Sequence, residues 1–198
     1  MTTIYFVRHA QPEHGWEDDR TRPLTVEGME DRKKVTEALH DIPIDYAISS
    51  PYKRSVDTIA ECAKDHGLTI ATDDRFRERE KGENGNNYGM FQKRWADFSY
   101  HEEGGESLQM VQDRNIQALK ELLWSHNTET ILLGTHGTAL STILNYYDPS
   151  YGCTNFLRMI DYMPYIIKLS FHGTACIGKE EILIVEKEFV GRKRADHR

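Results

Sequence analysis

The sequence predicts an α/β fold: a three-layer sandwich with a mostly parallel central sheet, helices on both faces and a small inserted segment. Two observations carry this expectation. Short β-branched or aromatic runs alternate along the chain with stretches whose apolar residues recur at helical spacing. With 198 residues, 38% of them hydrophobic and 29% charged, there is also enough apolar material for one sizeable core. We read residues 1–190 as a single domain with an insertion at about 76–107, and residues 191–198 as a basic, flexible tail.

Thr3-Ile4-Tyr5-Phe6-Val7 reads as a buried strand that stops at Arg8-His9. Residues 10–23 are polar and contain Pro and Gly, which makes them a loop. Thr25 is a fitting N-cap for a helix of roughly four turns, with Val26, Met29, Ala38 and Leu39 expected on its inner face. Asp45 to Ile48 forms the second strand. Ser49-Ser50-Pro51 opens a helix running to about Lys64, with Pro51 in the first turn, where its missing N–H costs nothing. Leu68 to Ile70 is a third, weak strand. Phe76 to Gly105 mixes glycines, charges and aromatics without a clean period. Leu108, Val111, Ile116, Leu119, Leu122 and Leu123 then return to helical spacing. Thr130 to Gly134 is the clearest strand, followed by Thr135-His136-Gly137 and a helix over Thr138–Tyr146. Tyr165–Leu169 and Glu181–Val185 are the last two strands.

Composition narrows the function. A net charge of -7 disfavours broad binding to nucleic acid. A mean hydropathy of -0.65 with no long apolar run argues against a membrane span. The opening MTTIYFVRHAQPEH lacks the pattern of a secretory signal. Three scattered cysteines, Cys62, Cys153 and Cys176, suit a reducing cytoplasm and form no metal knuckle. The histidines lack HExxH spacing, and Gly134 to Gly137 lacks the GK[ST] ending of a Walker loop.

Ligands of open α/β sheets gather at the carboxyl ends of the strands. Three such ends carry one chemical theme: Arg8-His9, Arg54 beyond the second strand, and His136-Gly137 beyond the fourth. If those strands are neighbours, two guanidinium groups, two imidazoles and a helix N-terminus converge. Forked N–H donors and free backbone N–H groups match phosphate oxygens.

The residues themselves resemble a known family. Phe6-Val7-Arg8-His9-Ala10 is similar to the RHG signature of the histidine phosphatase superfamily, which includes cofactor-dependent phosphoglycerate mutases and many small phosphatases. Pro23-Leu24-Thr25 with Gly28, Ser49-Ser50-Pro51 with Arg54 and Thr58, Gly105-Glu106-Ser107-Leu108 with Arg114, and Thr135-His136-Gly137 resemble its further motifs in order. The resemblance implies His9 as nucleophile, and Arg8, Arg54 and His136 as ligands of the phosphoryl oxygens. It also implies a glutamate acid shortly after the third strand. Glu78 is the first choice, because Phe76 can anchor that segment, and Glu80 is the second. Ala10 stands where the family has Gly, and no Asn follows nearby. Gln11 or His14 takes that place, and Gly137 adjoins the second histidine.

These residues lead to a phosphatase that hydrolyses phosphomonoesters through a phosphohistidine on a small phosphorylated substrate, without metal or other cofactor. The alternatives are a cofactor-dependent phosphoglycerate mutase and a non-catalytic phosphate-binding module. The basic substrate segment of true mutases is not evident between Tyr88 and Gly105, which favours hydrolysis.

Overall fold

The computed structural model describes residues 1–83 and 88–189; the basic segment at 191–198 lies outside the described residues. In chain order the elements are β1 (Thr2–Arg8), α1 (Val26–Leu39), β2 (Tyr46–Ser49), α2 (Lys53–Asp65) and β3 (Ile70–Thr72). They continue with α3 (Phe91–Ala96), α4 (Leu108–Ser125), β4 (Thr130–Thr135), α5 (Gly137–Tyr147), α6 (Cys153–Met159), β5 (Tyr162–His172) and β6 (Ala175–Glu186). Six strands form one sheet in the order β3-β2-β4-β1-β5-β6. The β1–β4, β2–β4 and β2–β3 pairs are parallel, whereas β5 runs antiparallel to β1 and to β6.

Alternation along β1 divides the core between the two faces, because successive strand side chains point to opposite sides. Tyr5 and Val7 pack with Val35 and Leu39 of α1 and with Ile59 and Cys62 of α2. Ile4 and Phe6 pack with Ile116 and Leu119 of α4 and with Leu140 and Ile143 of α5. The expected sandwich is therefore present.

Several boundaries differ from expectation for physical reasons. Val26, expected on the inner face of α1, is 85% exposed; the buried stripe runs through Gly28, Asp31, Val35 and Leu39. Val26 is the first helical residue and lies off the stripe that Gly28, Asp31, Val35 and Leu39 define. The start itself is as read: the Thr25 hydroxyl accepts the Gly28 N–H at 2.9 Å. α2 begins at Lys53, so Pro51 precedes the helix instead of opening it. β5 and β6 are longer than the apolar runs suggest, because their hairpin carries polar residues such as Lys179 and Glu180 on its outer stretch. Between Phe76 and Ser107 the chain leaves the sheet, with α3 as its one α-helix among the described residues.

Candidate active site

β4 lies between β2 and β1, so the three strand ends singled out above are neighbours. His9, Arg8, Arg54 and His136 are all buried there, and the rings of His9 and His136 sit edge to face with centroids 5.3 Å apart.

Each side chain is held by a distant part of the chain. Arg8 Nη1 donates to the carbonyls of Met159, Ile160 and Tyr162 at 2.7, 2.9 and 2.9 Å, at the carboxyl end of α6. Carbonyl dipoles there favour a cation. The rest of the guanidinium sits against Gly137: a Cβ at that position would stand 3.1 Å from Arg8 Nε, so a larger residue would push the guanidinium by a few tenths of an ångström. Arg54 Nη1 pairs with Asp19, at 2.6 Å from its carbonyl and 3.1 Å from its carboxylate. The Thr58 hydroxyl accepts the Ala10 N–H at 3.0 Å and donates to the Arg54 carbonyl at 2.7 Å, joining the loop after His9 to α2.

Hydrogen bonding sets the tautomer of His9. Its Nδ1 faces the Ala10 carbonyl at 2.7 Å, and a carbonyl can only accept, so Nδ1 carries the hydrogen. Arg54 Nε donates to His9 Nε2 at 3.3 Å, so Nε2 holds a lone pair. Both contacts require the same neutral ring. Burial lowers the proton affinity of His9 well below the usual range, and the Arg54 and Arg8 charges lower it further. Burial does the same to His136, aided by Arg54. Arg8 is pulled down to about 10 by burial and stays protonated at neutral pH.

His136 Nε2 is 2.8 Å from the Ser50 hydroxyl. Among the described residues its Nδ1 and Arg8 Nε are buried without a hydrogen-bond partner. Orphaned buried polar atoms are uncommon and mark places where a ligand completes the bonding.

Glu78 reaches the same volume. Its Oε2 accepts the Thr138 N–H at 3.0 Å, and its Oε1 accepts those of Ala139 at 3.1 Å and Arg79 at 2.9 Å. The N–H groups opening α5, expected to be free for phosphate, are thus partly taken by the protein's own carboxylate. Glu80 points elsewhere, with a side chain 47% exposed and 3.4 Å from Arg77. Gln11 is tied to the start of α1, its side-chain oxygen accepting from the Thr25 hydroxyl at 3.0 Å. Gly28 packs so closely on Gln11 that a Cβ would lie 2.4 Å from its carbonyl oxygen. His14 stands at the rim, edge-on to Phe189 at 6.3 Å.

In the Gly105-Glu106-Ser107-Leu108 motif, Ser107 caps α4 by accepting the Met110 N–H at 3.1 Å. Glu106 does more. Arg114 grips both its carboxylate oxygens at 2.8 Å and donates to the carbonyls of Arg75, Arg77 and Glu78 at 2.7, 2.8 and 3.1 Å. That fork positions the segment bearing Glu78. The signal was the Glu106-to-Arg114 spacing, which puts Glu106 just before the Ser107 cap of α4 and Arg114 in its second turn.

The family model of the histidine phosphatase superfamily (branch 1) matches residues 4–160. The chain belongs to that superfamily. A probable phosphoglycerate mutase, GpmB, of Salmonella choleraesuis is 29% identical over 168 residues, covering 73% of this chain and 74% of its own. Solved structures share the superfamily fold. Phosphoserine phosphatase from Entamoeba histolytica, in complex with 3-phosphoglyceric acid, aligns with a TM-score of 0.75 at 19% identity, over 92% of this chain and 98% of its own. A mycobacterial glucosyl-3-phosphoglycerate phosphatase complexed with VO3 aligns with a TM-score of 0.73 at 18% identity, over 94% and 99%.

The histidine environment has a consequence for stability. His9 and His136 stay neutral when folded but take up protons when unfolded below about pH 6.5. Acidification therefore favours the unfolded chain, by up to about 1.4 kcal/mol per pH unit for each histidine. The opposing contribution of His40, raised by its bond to Asp65, is small because that ring is exposed. Denaturant midpoints should fall between pH 7.5 and 5.5. A midpoint that rose would contradict the buried neutral pair.

Proposed function

We propose that this chain is a phosphatase that hydrolyses phosphomonoesters through a phosphohistidine on His9. The observation that carries the reading is the His9 tautomer: an Nε2 lone pair held beside two buried guanidinium groups. In the first step Nε2 attacks phosphorus and the bond to the ester oxygen breaks. Glu78 gives that oxygen its proton. Oε1 already accepts two N–H groups and Oε2 one, so Oε2 has the room to carry it. In the second step the carboxylate takes a proton from water, the water oxygen bonds to phosphorus, and the P–N bond breaks. Arg8, Arg54 and His136 bind the phosphoryl oxygens throughout, most strongly as charge spreads in the transition state. Gly137 leaves room for the Arg8 guanidinium, and Gln11 and His14 border the phosphate.

No metal or organic cofactor enters this scheme. Arg8 and Arg54 supply the positive charge, and the described residues contain no group of three or more His, Cys, Asp or Glu arranged to hold a metal ion. The substrate is a small phosphorylated molecule, as phosphoserine phosphatase with bound 3-phosphoglyceric acid suggests by analogy. Three free cysteines fit a reducing cytoplasm, and no helix among the described residues is long and apolar enough to cross a membrane.

Activity should survive exhaustive chelation, and vanadate should inhibit as a five-coordinate mimic of the transferring group. Rapid quenching should trap a phosphoramidate that is acid-labile and base-stable. Loss of activity on chelation, restored only by a divalent ion, contradicts the scheme. The name carried by the Salmonella relative keeps a second reading, phosphoglycerate mutase. Label passing from the phosphoenzyme to a phosphoglycerate rather than to water would favour it.

A further inference from the structure

A row of aromatic rings from four separate segments runs from the loop after His9 to α6, the helix that holds Arg8. It starts at His14, five positions past the nucleophile. From there it passes to Phe189 at 6.3 Å, Phe91 at 6.4 Å, Phe156 at 5.1 Å, Trp95 at 5.8 Å and Tyr151 at 6.2 Å, centroid to centroid. Both ends of the row connect to the site. His14 shares the loop that follows His9. Phe156 lies on α6, the helix whose terminal carbonyls hold Arg8, and the Tyr151 hydroxyl lies 3.4 Å from Ser141 Oγ of α5, the helix that opens at Gly137.

The rings are fixed from behind. Lys187 crosses back to Asp31 of α1 at 2.9 Å, and its backbone N–H donates to the Asp161 carbonyl at 2.6 Å. The Phe189 N–H donates to Asp161 Oδ1 at 3.1 Å, so a short strap after β6 presents the ring. Phe91 lies over the buried guanidinium of Arg94 at 5.8 Å, and Arg94 is itself paired with Glu102. Phe91, Trp95 and Phe189 are only half-buried.

We infer that this arc seats the alcohol portion of the substrate, and that the substrate class is phosphomonoesters of apolar, ring-bearing alcohols. The inference rests on the phosphatase reading above. Half-buried rings beside a charged pocket supply what such an ester needs: N–H donors at one end and π faces at the other.

The test compares 3-phenylpropyl phosphate with n-propyl phosphate on the full chain. Both release a primary alcohol, so their intrinsic chemistry matches and the ring is the difference. The phenyl ester should have a kcat/KM higher by about tenfold or more, mainly through KM. Phe189→Ala and Phe91→Ala should each pull that ratio toward one, whereas Trp124→Ala, at a residue 86% exposed, should leave it unchanged. A merely structural role would lower both esters alike and preserve the ratio. Equal kcat/KM for the two esters, or a preference untouched in both phenylalanine variants, overturns the inference. No phosphate release from either ester would instead overturn the phosphatase reading beneath it.

Discussion

His9→Ala is expected to abolish turnover and the acid-labile phosphoryl label together. Two contacts fix the His9 tautomer, the Arg54 Nε donating to Nε2 and Nδ1 donating to the Ala10 carbonyl, so Nε2 carries the lone pair that the proposed scheme uses. In the proposed scheme His136, bound through Nε2 to the Ser50 hydroxyl, serves the phosphoryl oxygens and is not expected to take over the attack. Removal of a covalent nucleophile costs on the order of 10⁴-fold or more when the rest of the machinery stays in place. Arg8 should stay in place in the variant, since the carbonyls beyond α6 hold it without help from His9. The variant should therefore still bind phosphate, as calorimetry can measure, while quenched samples carry no label. Label on any other residue, or turnover within tenfold of the parent, would sink the covalent scheme.

Glu78→Gln is expected to slow alkyl phosphates by about 10²–10⁴-fold, the usual range for loss of a general acid. p-Nitrophenyl phosphate should be affected far less, because p-nitrophenolate departs without protonation. The same substitution has a structural signature. A carboxylate accepts on both oxygens, whereas the amide turns N–H donors toward the N–H groups of Thr138, or of Ala139 and Arg79. Leaving such a donor unsatisfied costs about 1–3 kcal/mol, so the variant should also unfold at lower denaturant. Glu80→Gln is the control, because that side chain faces Arg77 at the surface. If Glu80→Gln loses alkyl phosphate activity and Glu78→Gln does not, the acid is assigned two residues too early.

Much of this was legible in the sequence because it is local. A strand that stops at Arg8-His9 and one that stops at Thr135-His136 place their side chains at one sheet edge once the strands are parallel neighbours. Glu78 was legible only through its place after the third strand. Nothing in its immediate neighbours separates a pocket carboxylate from the charge-rich run around it. Its distinguishing partners, Thr138 and Ala139, lie 60 and 61 residues ahead. The exposure of Val26 was hidden for a different reason: as the first helical residue it lies off the stripe that α1 buries. The long β5–β6 hairpin escaped because polar residues in an edge strand look like loop. The aromatic arc gave no signal of its own, since rings that meet from four segments share no period.

The hold on Arg8 also bears on how the site comes into being. Its guanidinium is bound by the Met159 carbonyl, 151 residues further along, and β1 pairs on its two sides with Thr130–Thr135 and with β5. Closing such distant contacts is paid in chain entropy before any reward arrives, which makes them slow to form. The strand that leads into His9 stays half-paired until the chain through Tyr162–His172 has joined the sheet. The site is therefore complete only once β5 and the end of α6 have joined the sheet, and a local opening there would undo the hold on Arg8 while β2 and β3 keep their own pairing.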